Sequence, residues 1–249
     1  MTANLLVVCT ANIARSPLAE ALLQAHVRVR GLEDEVCIAS AGTRAREGYA
    51  AAQPSVVIAA GWGVDLRRHR SQPVSDELLE ASDLILTMTE VHRDAIGGLG
   101  AGVSERCFTL YELRRLLHGV EVAMSPQDPP QASPVLSSEL SPELSPELSA
   151  VLSSDRDPGR PNVAVSERVA AVVREAHQRR PLSARSGRED IPDPYGRDEE
   201  VYEAVATELV EAVGAIATPL FGPVPAAAHA NLPRAPRASR RRRLRRRSG

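Results

Sequence analysis

Short apolar runs alternate with helix-like stretches along the first half of the chain. The runs at residues 5–8, 36–39, 83–88 and 106–110 predict strands. Helical spacing of apolar residues follows Pro17 and recurs at residues 51–60, 76–81 and 111–117. Strands that alternate with helices favour a parallel sheet covered on both faces. We therefore predict an α/β fold of three layers, α/β/α, around a four-stranded parallel sheet.

The second half of the chain is less regular. Residues 119–162 are rich in Pro and Ser and contain an imperfect repeat of four residues, so too little apolar area is available to offset the entropy of ordering. We predict a flexible insertion there, followed by a docked helix at about 163–180 and another from about 199 to 216. The predicted domain is thus 1–221, interrupted by this insertion, and residues 222–249 are predicted to be a disordered tail.

Composition refines this description. Of the 249 residues 43% are hydrophobic and only 3% aromatic, so the core is predicted to be aliphatic. No apolar run approaches the length of about 18 residues that a membrane-spanning helix needs. Three widely spaced cysteines form no disulfide framework, and the start of the chain lacks the basic region of a secretory signal. We expect a cytoplasmic protein, and the absence of lysine beside abundant Ala and Arg suggests a bacterial genome of high GC content.

Charge is distributed unevenly. Acidic residues number 32 and basic residues 30, and all of the latter are arginines, with a dense block at 240–247. The body is therefore acidic and the C-terminal tail strongly basic. Two interpretations of the tail stay open. The block is simply solvated, or it makes weak, salt-dependent contact with nucleic acid or an anionic surface.

The loop between the first strand and the first helix carries the candidate chemistry. Open parallel sheets bind ligands at the carboxyl ends of their strands, and the N–H groups of a loop and a helix start form an anion site. Cys9 stands at the start of this loop, where such donors stabilise a thiolate. The planar fork of Arg15 can hold two phosphoryl oxygens, and the Ser16 hydroxyl can donate to the sulfur. The segment predicts a nucleophile inside an oxyanion cradle that attacks phosphorus.

The motif Cys9-x5-Arg15-Ser16-Pro17, with Asn12 inside it, resembles the phosphate-binding loop of the low molecular weight protein tyrosine phosphatases. Four further blocks resemble the family in the same order, at residues 40–43, 61–71, 83–89 and 193–195. The resemblance covers roughly residues 4–118 and 188–217. It leaves the insertion and the tail outside.

The resemblance implies a role for each matching residue. Cys9 is expected to be the nucleophile that forms a phosphocysteine, Arg15 to bind the phosphate and the transition state, and Asp193 to act as general acid and then base. Ser16 is expected to stabilise the thiolate and Asn12 to hold the strained loop. The residues expected to bind substrate are Thr10, Ala11, Asn12, Ile13, Ala14, Ser16, Arg46 and Tyr195. The implied activity is hydrolysis of phosphotyrosine in protein substrates, with no metal and no cofactor.

Several positions depart from the family's pattern. Ala14 stands where many relatives carry a second loop cysteine that forms a protective disulfide with the nucleophile, so oxidised Cys9 lacks that partner. Ile13 replaces the threonine of the family's protein-arginine phosphatases and favours an aryl leaving group. The aromatic or leucine platform of tyrosine-selective members is missing at residues 44–47, which leaves Tyr195 to flank the ring.

Two alternative functions remain open from the sequence. An arsenate reductase of the same fold would share the loop, although relay reductases need two closely spaced cysteines and Cys37 and Cys107 stand far apart; both are predicted to pack in the core. A binding module for phosphorylated partners would not need the intact set of Cys9, Arg15 and Asp193. Trp62 and His69 are predicted to be structural.

Overall fold

The four predicted strands form one parallel sheet. The computed structural model describes residues 2–100, 102–118, 144–154, 163–180 and 189–236. The strands are β1 Ala3–Cys9, β2 Val36–Gly42, β3 Leu84–Thr87 and β4 Cys107–Thr109, and they pair in the order β2-β1-β3-β4. This confirms the predicted α/β fold. Because the chain runs from β1 to one side and then returns to the other, the direction of winding switches between β1 and β3.

The predicted helices are present, with others that were not predicted. The predicted ones are α1 Arg15–Arg28, α2 Gln53–Gly61, α3 Asp76–Glu80, α6 Leu110–Leu116, α8 Val165–Arg179 and α9 Glu199–Phe221. The additional ones are α4 Glu90–Gly97, α5 Val103–Arg106, α7 Pro146–Ser154 and a 3-10 helix at Ala226–Asn231. The additional α4 and α5 have only eight and four residues, too few for a helical period to be recognised in the sequence.

The sheet separates two apolar layers, and β1 contributes to both. Successive side chains of a strand point to opposite faces. Leu5, Val7 and Cys9 therefore belong to the larger core, which includes α1 and α9, whereas Leu6 and Val8 belong to the smaller one, which includes residues of α3, α4 and α5. Burial on both faces explains why β1 reads as a continuous apolar run.

Helix α7 lies inside the predicted flexible insertion. The spacing of four residues places Leu148 and Leu152 on one face of α7, which packs against α8, and Leu144, just before the helix, packs against the same core. Leu148 is fully buried, and Glu147 pairs with Arg174 of α8 at 3.0 Å. The prediction of an unpacked segment is therefore wrong for residues 144–154, while residues 119–143 and 155–162 lie outside the described part.

The first part of the predicted disordered tail is also ordered. Residues 222–236 follow α9 and include the 3-10 helix, and the indole Nε1 of Trp62 donates to the carbonyl oxygen of Arg234 at 3.0 Å. The predicted structural role of Trp62 agrees with this contact. The tail prediction is wrong for residues 222–236, and the arginine block at 240–247 lies outside the described residues.

The long helix α9 is apolar enough, by length and composition, to cross a membrane; its richest stretch has a mean hydropathy of 1.5. In the described part of the chain it is the one helix that meets this criterion. More than half of that stretch, 56%, is buried inside the protein. The helix contacts α1, α2, α6 and α8, and it acts as a core helix of this fold.

Candidate active site

The phosphate-binding loop begins at Cys9, the last residue of β1, and ends where α1 starts at Arg15. The Cys9 side chain is buried, with the residue 3% exposed. Its Sγ lies 3.0 Å from the Ser16 Oγ and 3.3 Å from the backbone nitrogen of Asn12. The sulfur is thus surrounded by hydrogen-bond donors of the loop, as the sequence predicted.

The carbonyl oxygens of the loop are turned away from the sulfur. The oxygens of Cys9 and Thr10 accept from the amides of residues 43 and 44, at 2.9 and 2.8 Å, and the oxygen of Ile13 accepts from the amide of Ala52 at 2.7 Å. In a trans peptide the next N–H points the opposite way from the carbonyl. The amide groups of Thr10, Ala11 and Ala14 are therefore directed into the ring, an arrangement that suits an anion.

Asn12 holds the loop through every polar atom of its side chain. Its φ is 54°, in the left-handed region that Asn tolerates better than most residues. Its Nδ2 donates to Ser16 at 3.0 Å and to Ser40 at 2.7 Å, and its Oδ1 accepts from the amide of Gln72 at 3.0 Å. The His69 Nε2 donates to its carbonyl oxygen at 2.8 Å.

The direction of the hydrogen bonds around Ser16 follows from Asn12. Because the Asn12 amide donates to the Ser16 Oγ, the hydroxyl hydrogen of Ser16 is available to the Cys9 sulfur, at 3.0 Å. The Ser40 hydroxyl also accepts from Asn12 and donates to the Glu20 Oε2 at 2.6 Å. Burial raises the pKa of Glu20, and the bond from Ser40 opposes that shift. A buried chain of polar groups thus joins Glu20 to the nucleophile.

Gly42 ends β2 in direct contact with the loop. A Cβ at this position would lie 2.6 Å from the Thr10 carbonyl oxygen and 2.9 Å from the Asn12 nitrogen. Both neighbours are backbone atoms that are already hydrogen bonded, so they cannot move aside. Glycine is therefore required here because of the close approach of two backbones.

Arg15 and Asp193 meet at the site although 178 residues separate them. The Arg15 side chain is 5% exposed and its Nη2 lies 2.7 Å from the Asp193 Oδ2, whose side chain is half exposed. Arg15 also donates to the Ile191 carbonyl oxygen and to the Thr10 hydroxyl, both at 3.2 Å. The structure thus brings together the three residues that the sequence assigned to catalysis.

His92 is a site residue that the sequence did not reveal. Its Nε2 lies 2.8 Å from the Thr10 Oγ1 and its Nδ1 lies 2.8 Å from the Thr89 Oγ1. Arg15 donates to the Thr10 hydroxyl, so the hydroxyl hydrogen is available to an unprotonated Nε2 of His92. Burial and the Arg15 guanidinium lower the pKa of His92 to about 4. The imidazole is therefore neutral and holds Thr10 against Arg15.

The loop that carries Asp193 is tied to the carboxyl edge of the sheet. The amide of Ile191 donates to the Met88 carbonyl oxygen at 2.8 Å, and the Asp190 Oδ1 accepts from the amide of Glu90 at 2.8 Å. Glu189 accepts from Arg115 at 3.0 Å. Glu189 also accepts from the Thr109 hydroxyl at the end of β4, at 3.2 Å. The anchors thus come from the ends of β3 and β4 and from the helices α4 and α6 that follow them, so the carboxyl edge of the sheet positions the carboxyl group.

The remaining predicted binding residues differ in their placement. Thr10, Ala11 and Ile13 are half-buried in the loop, and Ala14 is buried beneath it. Tyr195 is 63% exposed, and its amide donates to the Asp193 Oδ1 at 3.2 Å. Arg46 is exposed outside the ring, where its carbonyl oxygen accepts from the Ser71 hydroxyl. The structure therefore brings Tyr195 to the acid and leaves Arg46 on the rim.

The other two cysteines lie away from the nucleophile. Cys37 pairs with Asn4 and Cys9 with Gly42, so five residues of strand, roughly 16 Å, separate the two cysteines. Cys37 is exposed on the edge strand β2, so its predicted core position is wrong. Cys107 is buried in β4 as predicted, and burial raises the pKa of its thiol to about 12. Disulfide partners have Cα atoms within about 7 Å, which excludes Cys37 from a direct bond with Cys9.

Within the described ranges, no group of three or more His, Cys, Asp or Glu side chains is arranged to hold a metal ion. The positive field at the site comes instead from Arg15 and from the amide groups of the loop. Such an arrangement stabilises a phosphoryl group that gains charge during transfer.

Comparison with known proteins agrees with this geometry. Residues 4–122 match the sequence model of the family described as low molecular weight phosphotyrosine protein phosphatase. The chain is 34% identical over 115 residues to the low molecular weight protein-tyrosine-phosphatase EpsP of Ralstonia nicotianae, over 46% of this chain and 75% of EpsP. It is 35% identical over 116 residues to the protein-arginine-phosphatase of Bacillus subtilis, over 47% and 75% of the two chains.

Solved structures share the same fold. The tyrosine phosphatase AmsI of Erwinia amylovora superposes with a TM-score of 0.53 at 22% identity, over 89% of this chain and 95% of AmsI. The YwlE mutant from Bacillus subtilis also gives 0.53 at 22% identity, over 87% and 97%. At this level of identity the likeness establishes the fold.

The fold and the site define a cysteine-dependent phosphatase, in which a loop between a strand and a helix presents the nucleophile. Catalysis in this class proceeds through a cysteinyl-phosphate. The chain belongs to the low molecular weight protein-tyrosine-phosphatase family.

Proposed function

We propose that this protein hydrolyses phosphotyrosine in protein substrates, with Cys9 as the nucleophile, Arg15 as the phosphate ligand and Asp193 as the general acid and base. The observation that carries the proposal is the ion pair of 2.7 Å between Arg15 and Asp193, beside a sulfur within 3.0 Å of a hydroxyl donor. A phosphoryl group held by Arg15 then lies between the nucleophile and the acid.

In the proposed first step, the Cys9 thiolate attacks phosphorus while the bond to the phenolic oxygen breaks. Asp193 gives its proton to the departing oxygen, and the product is tyrosine plus a phosphocysteine. In the second step Asp193 takes a proton from water, which attacks phosphorus and displaces the Cys9 sulfur. Inorganic phosphate leaves, and the Ser16 hydroxyl stabilises the restored thiolate.

The acid role of Asp193 has a specific test. In Asp193→Asn, kcat should fall by roughly 10²- to 10⁴-fold for a phosphotyrosine peptide, because the phenolate leaves unprotonated. The loss should be smaller for p-nitrophenyl phosphate, whose leaving group needs less help. Asp198→Asn, an exposed carboxyl on the same segment, is the matched control. Equal losses for the two substrates would argue against an acid at position 193, and retained activity in Cys9→Ser would argue against the nucleophile.

The preference for phosphotyrosine rests on two side chains at the mouth. Ile13 presents an apolar wall on the half-buried part of the loop, and the exposed ring of Tyr195 stands beside the acid. Both suit an aromatic leaving group better than a guanidinium one. One of the relatives named above is a protein-arginine-phosphatase, so phosphotyrosine and phosphoarginine peptides should be compared side by side. We expect Ile13→Thr to shift the ratio of kcat/KM towards phosphoarginine.

Arsenate reduction by an internal thiol relay is disfavoured by the cysteine geometry. Cys37 lies roughly 16 Å along the sheet from Cys9, and the buried Cys107 is a poor thiolate. Arsenate-dependent oxidation of an added thiol would be the observation in favour of that activity.

We infer a cytoplasmic location in a bacterium. The support is the free state of all three cysteines, which suits a reducing compartment and an active Cys9, and the bacterial origin of the relatives named above. For the Arg-rich tail we propose weak binding to nucleic acid or to an anionic surface. Removal of residues 237–249 should abolish salt-dependent binding to DNA and leave phosphatase activity in place.

A further inference from the structure

Two arginine-bearing segments form the rim of the phosphate-binding loop. The first carries Arg44 and Arg46, and the amide of Arg44 donates to the Thr10 carbonyl oxygen at 2.8 Å. The second carries Arg68 and Arg70 on either side of His69, which donates to the Asn12 carbonyl oxygen. All four arginines are exposed. Both segments therefore carry positive charge, and both are hydrogen bonded to the phosphate-binding loop.

The two segments are fixed to each other. The Ser71 hydroxyl donates to the carbonyl oxygen of Arg46, and the Ser71 carbonyl oxygen accepts from the amide of Gly48 at 2.8 Å. The Ser71 amide donates to the Tyr49 carbonyl oxygen at 2.8 Å. Arg46 and Arg70 thus stand on one connected surface, which we call the basic rim: residues 44–49 and 67–71.

Little on the basic rim neutralises its charge. Its acids are confined to Glu47 and the adjoining Asp65, and Asp65 is held by Arg67 at 2.8 and 2.9 Å. Among the described residues, no carboxylate pairs with Arg44, Arg46 or Arg68. The positive cluster contrasts with the acidic body of the chain: nine of the 30 arginines lie at residues 234–247, a stretch without acids, which leaves 21 arginines against 32 acids in the body.

The segment that carries Asp193 has the opposite sign. Asp198, Glu199 and Glu200 follow the acid within a few residues and are exposed. A substrate chain that reaches Cys9 therefore meets a positive rim on residues 44–49 and 67–71 and a negative surface at the start of α9. Negative residues of the substrate are attracted to the first and repelled by the second.

We infer that the basic rim selects protein substrates whose phosphorylated residue is flanked by aspartate or glutamate. This inference rests on the proposed function, because it concerns what binds around the same phosphoryl group. A peptide is favoured over nucleic acid because the rim adjoins a loop built for a single phosphoryl group, so residues next to a phosphorylated side chain necessarily pass over it. Exposed ion pairs are individually weak, and several together should give about a tenfold preference that salt weakens.

Binding tests the rim without requiring turnover. The affinity of Cys9→Ser protein is measured by fluorescence anisotropy for a phosphotyrosine peptide flanked by aspartate and glutamate, and for the same peptide with asparagine and glutamine. The acidic peptide should bind about tenfold more tightly at low ionic strength and about equally at roughly 0.3 M NaCl. The variant with Arg44→Gln and Arg46→Gln loses two of the four exposed arginines, so most of the preference should disappear. The control pair, Arg28→Gln and Arg234→Gln, lies outside both surfaces, changes the net charge equally and should keep the preference.

The outcomes separate the inference from the proposed function. Equal affinity for the two peptides at low salt would contradict the inference that the basic rim selects acidic peptides. An undiminished preference in the Arg44 and Arg46 variant would contradict it as well. A third outcome is that a single-stranded oligonucleotide binds through these arginines while the two peptides bind equally. The basic rim would then be a nucleic-acid site, and the inference about acidic peptides would be wrong. A preference in binding without hydrolysis of either peptide by the wild-type chain would instead contradict the proposed phosphotyrosine activity and leave the rim supported.

Discussion

Gly42 is the residue at which a single added carbon should do the most damage to the site. A Cβ there would press on the carbonyl oxygen of Thr10 and the nitrogen of Asn12, and both belong to the ring that holds the phosphoryl group. Because a displacement of about 1 Å in a catalytic site costs about 10²-fold in rate, we expect Gly42→Ala to lose at least that in kcat/KM. Steady-state kinetics with p-nitrophenyl phosphate measure the loss.

Gly61 provides the matched control for this substitution. A Cβ at Gly61 meets no atom within 4 Å, and its backbone is helical. Gly61→Ala should keep both activity and melting temperature. Wild-type kinetics in Gly42→Ala would mean that the two backbones separate easily, which contradicts the close packing described here.

His92 affects the position of Arg15 through its contact with Thr10. Its neutral ring accepts from the Thr10 hydroxyl, which in turn accepts from Arg15, so loss of either partner should loosen the guanidinium. We expect Thr10→Val and His92→Leu each to weaken inhibition by inorganic phosphate about tenfold, the worth of one hydrogen bond of about 1.4 kcal/mol. The double variant should be no weaker than the worse single variant, because both act on the same contact.

Two results would contradict this coupling. Additive losses in the double variant would show that His92 supports the fold and not the Thr10 contact. A glutamine oxygen can accept from the Thr10 hydroxyl where a leucine cannot, so His92→Gln should bind inorganic phosphate more tightly than His92→Leu. Equal affinity of these two variants would also contradict the coupling. Melting temperatures of all variants separate the two effects.

The residues of the loop could be predicted from sequence because they are local. Cys9, Asn12, Arg15 and Ser16 fall within one segment between a strand and a helix, and their spacing alone defines the cradle. The contact of His92 with Thr10 joins residues 82 positions apart, and no periodicity links them. Asp193 was found only through its resemblance to a family block, because an aspartate before proline is otherwise a common turn.

At the scale of elements, the strands were predictable and their surroundings only in part. β1 is buried on both faces and reads as an apolar run, whereas β2 is an edge strand, so Cys37 is exposed despite its apolar neighbours. Helix α7 was missed because its Pro and Ser content outweighed its leucines. Those leucines stand four residues apart, a helical spacing that becomes informative once α8 provides a surface.

The docking of α7 on α8 is testable through Leu148. The side chain is fully buried, so Leu148→Ala should lower the free energy of unfolding by about 2–5 kcal/mol. The expected loss is read from urea denaturation. Ala150→Ser, on the exposed side of the same helix, should stay within about 0.5 kcal/mol of the wild type. Equal stability of Leu148→Ala and the wild type would mean that α7 does not pack on the domain.

At the scale of the whole molecule, the sheet joins chemistry that is dispersed along the chain. The nucleophile is the last residue of β1, His92 follows β3, and the acid loop binds the ends of β3 and β4. The carboxyl ends of parallel strands lie at one edge, so a segment almost 180 residues downstream reaches Arg15 without a long path. The two described helices between α6 and α9, α7 and α8, pack on the larger core.

Acid sensitivity of the fold should come from two buried histidines. Burial lowers the pKa of His26 to about 4, helped by Arg30, and lowers that of His92 to about 4, helped by Arg15. In the unfolded chain both titrate near 6.5. Between pH 6.5 and 4 the unfolded state therefore binds more protons than the folded state, so stability falls as pH falls. Each unit of pKa shift is worth about 1.4 kcal/mol, which gives a loss of about 3 kcal/mol for each histidine across this window.

Replacement of His26 tests this pH dependence away from the active site. The Nδ1 of His26 lies 3.3 Å from Arg30, and a glutamine oxygen can accept the same bond without titrating. We expect His26→Gln to flatten the slope of unfolding free energy against pH between 4 and 6.5, while stability above pH 7 changes little by comparison. Urea denaturation at a series of pH values measures the slope. An unchanged slope would mean that His26 is protonated in the folded protein, which its contact with the Arg30 guanidinium opposes because two positive charges would then lie side by side in the core.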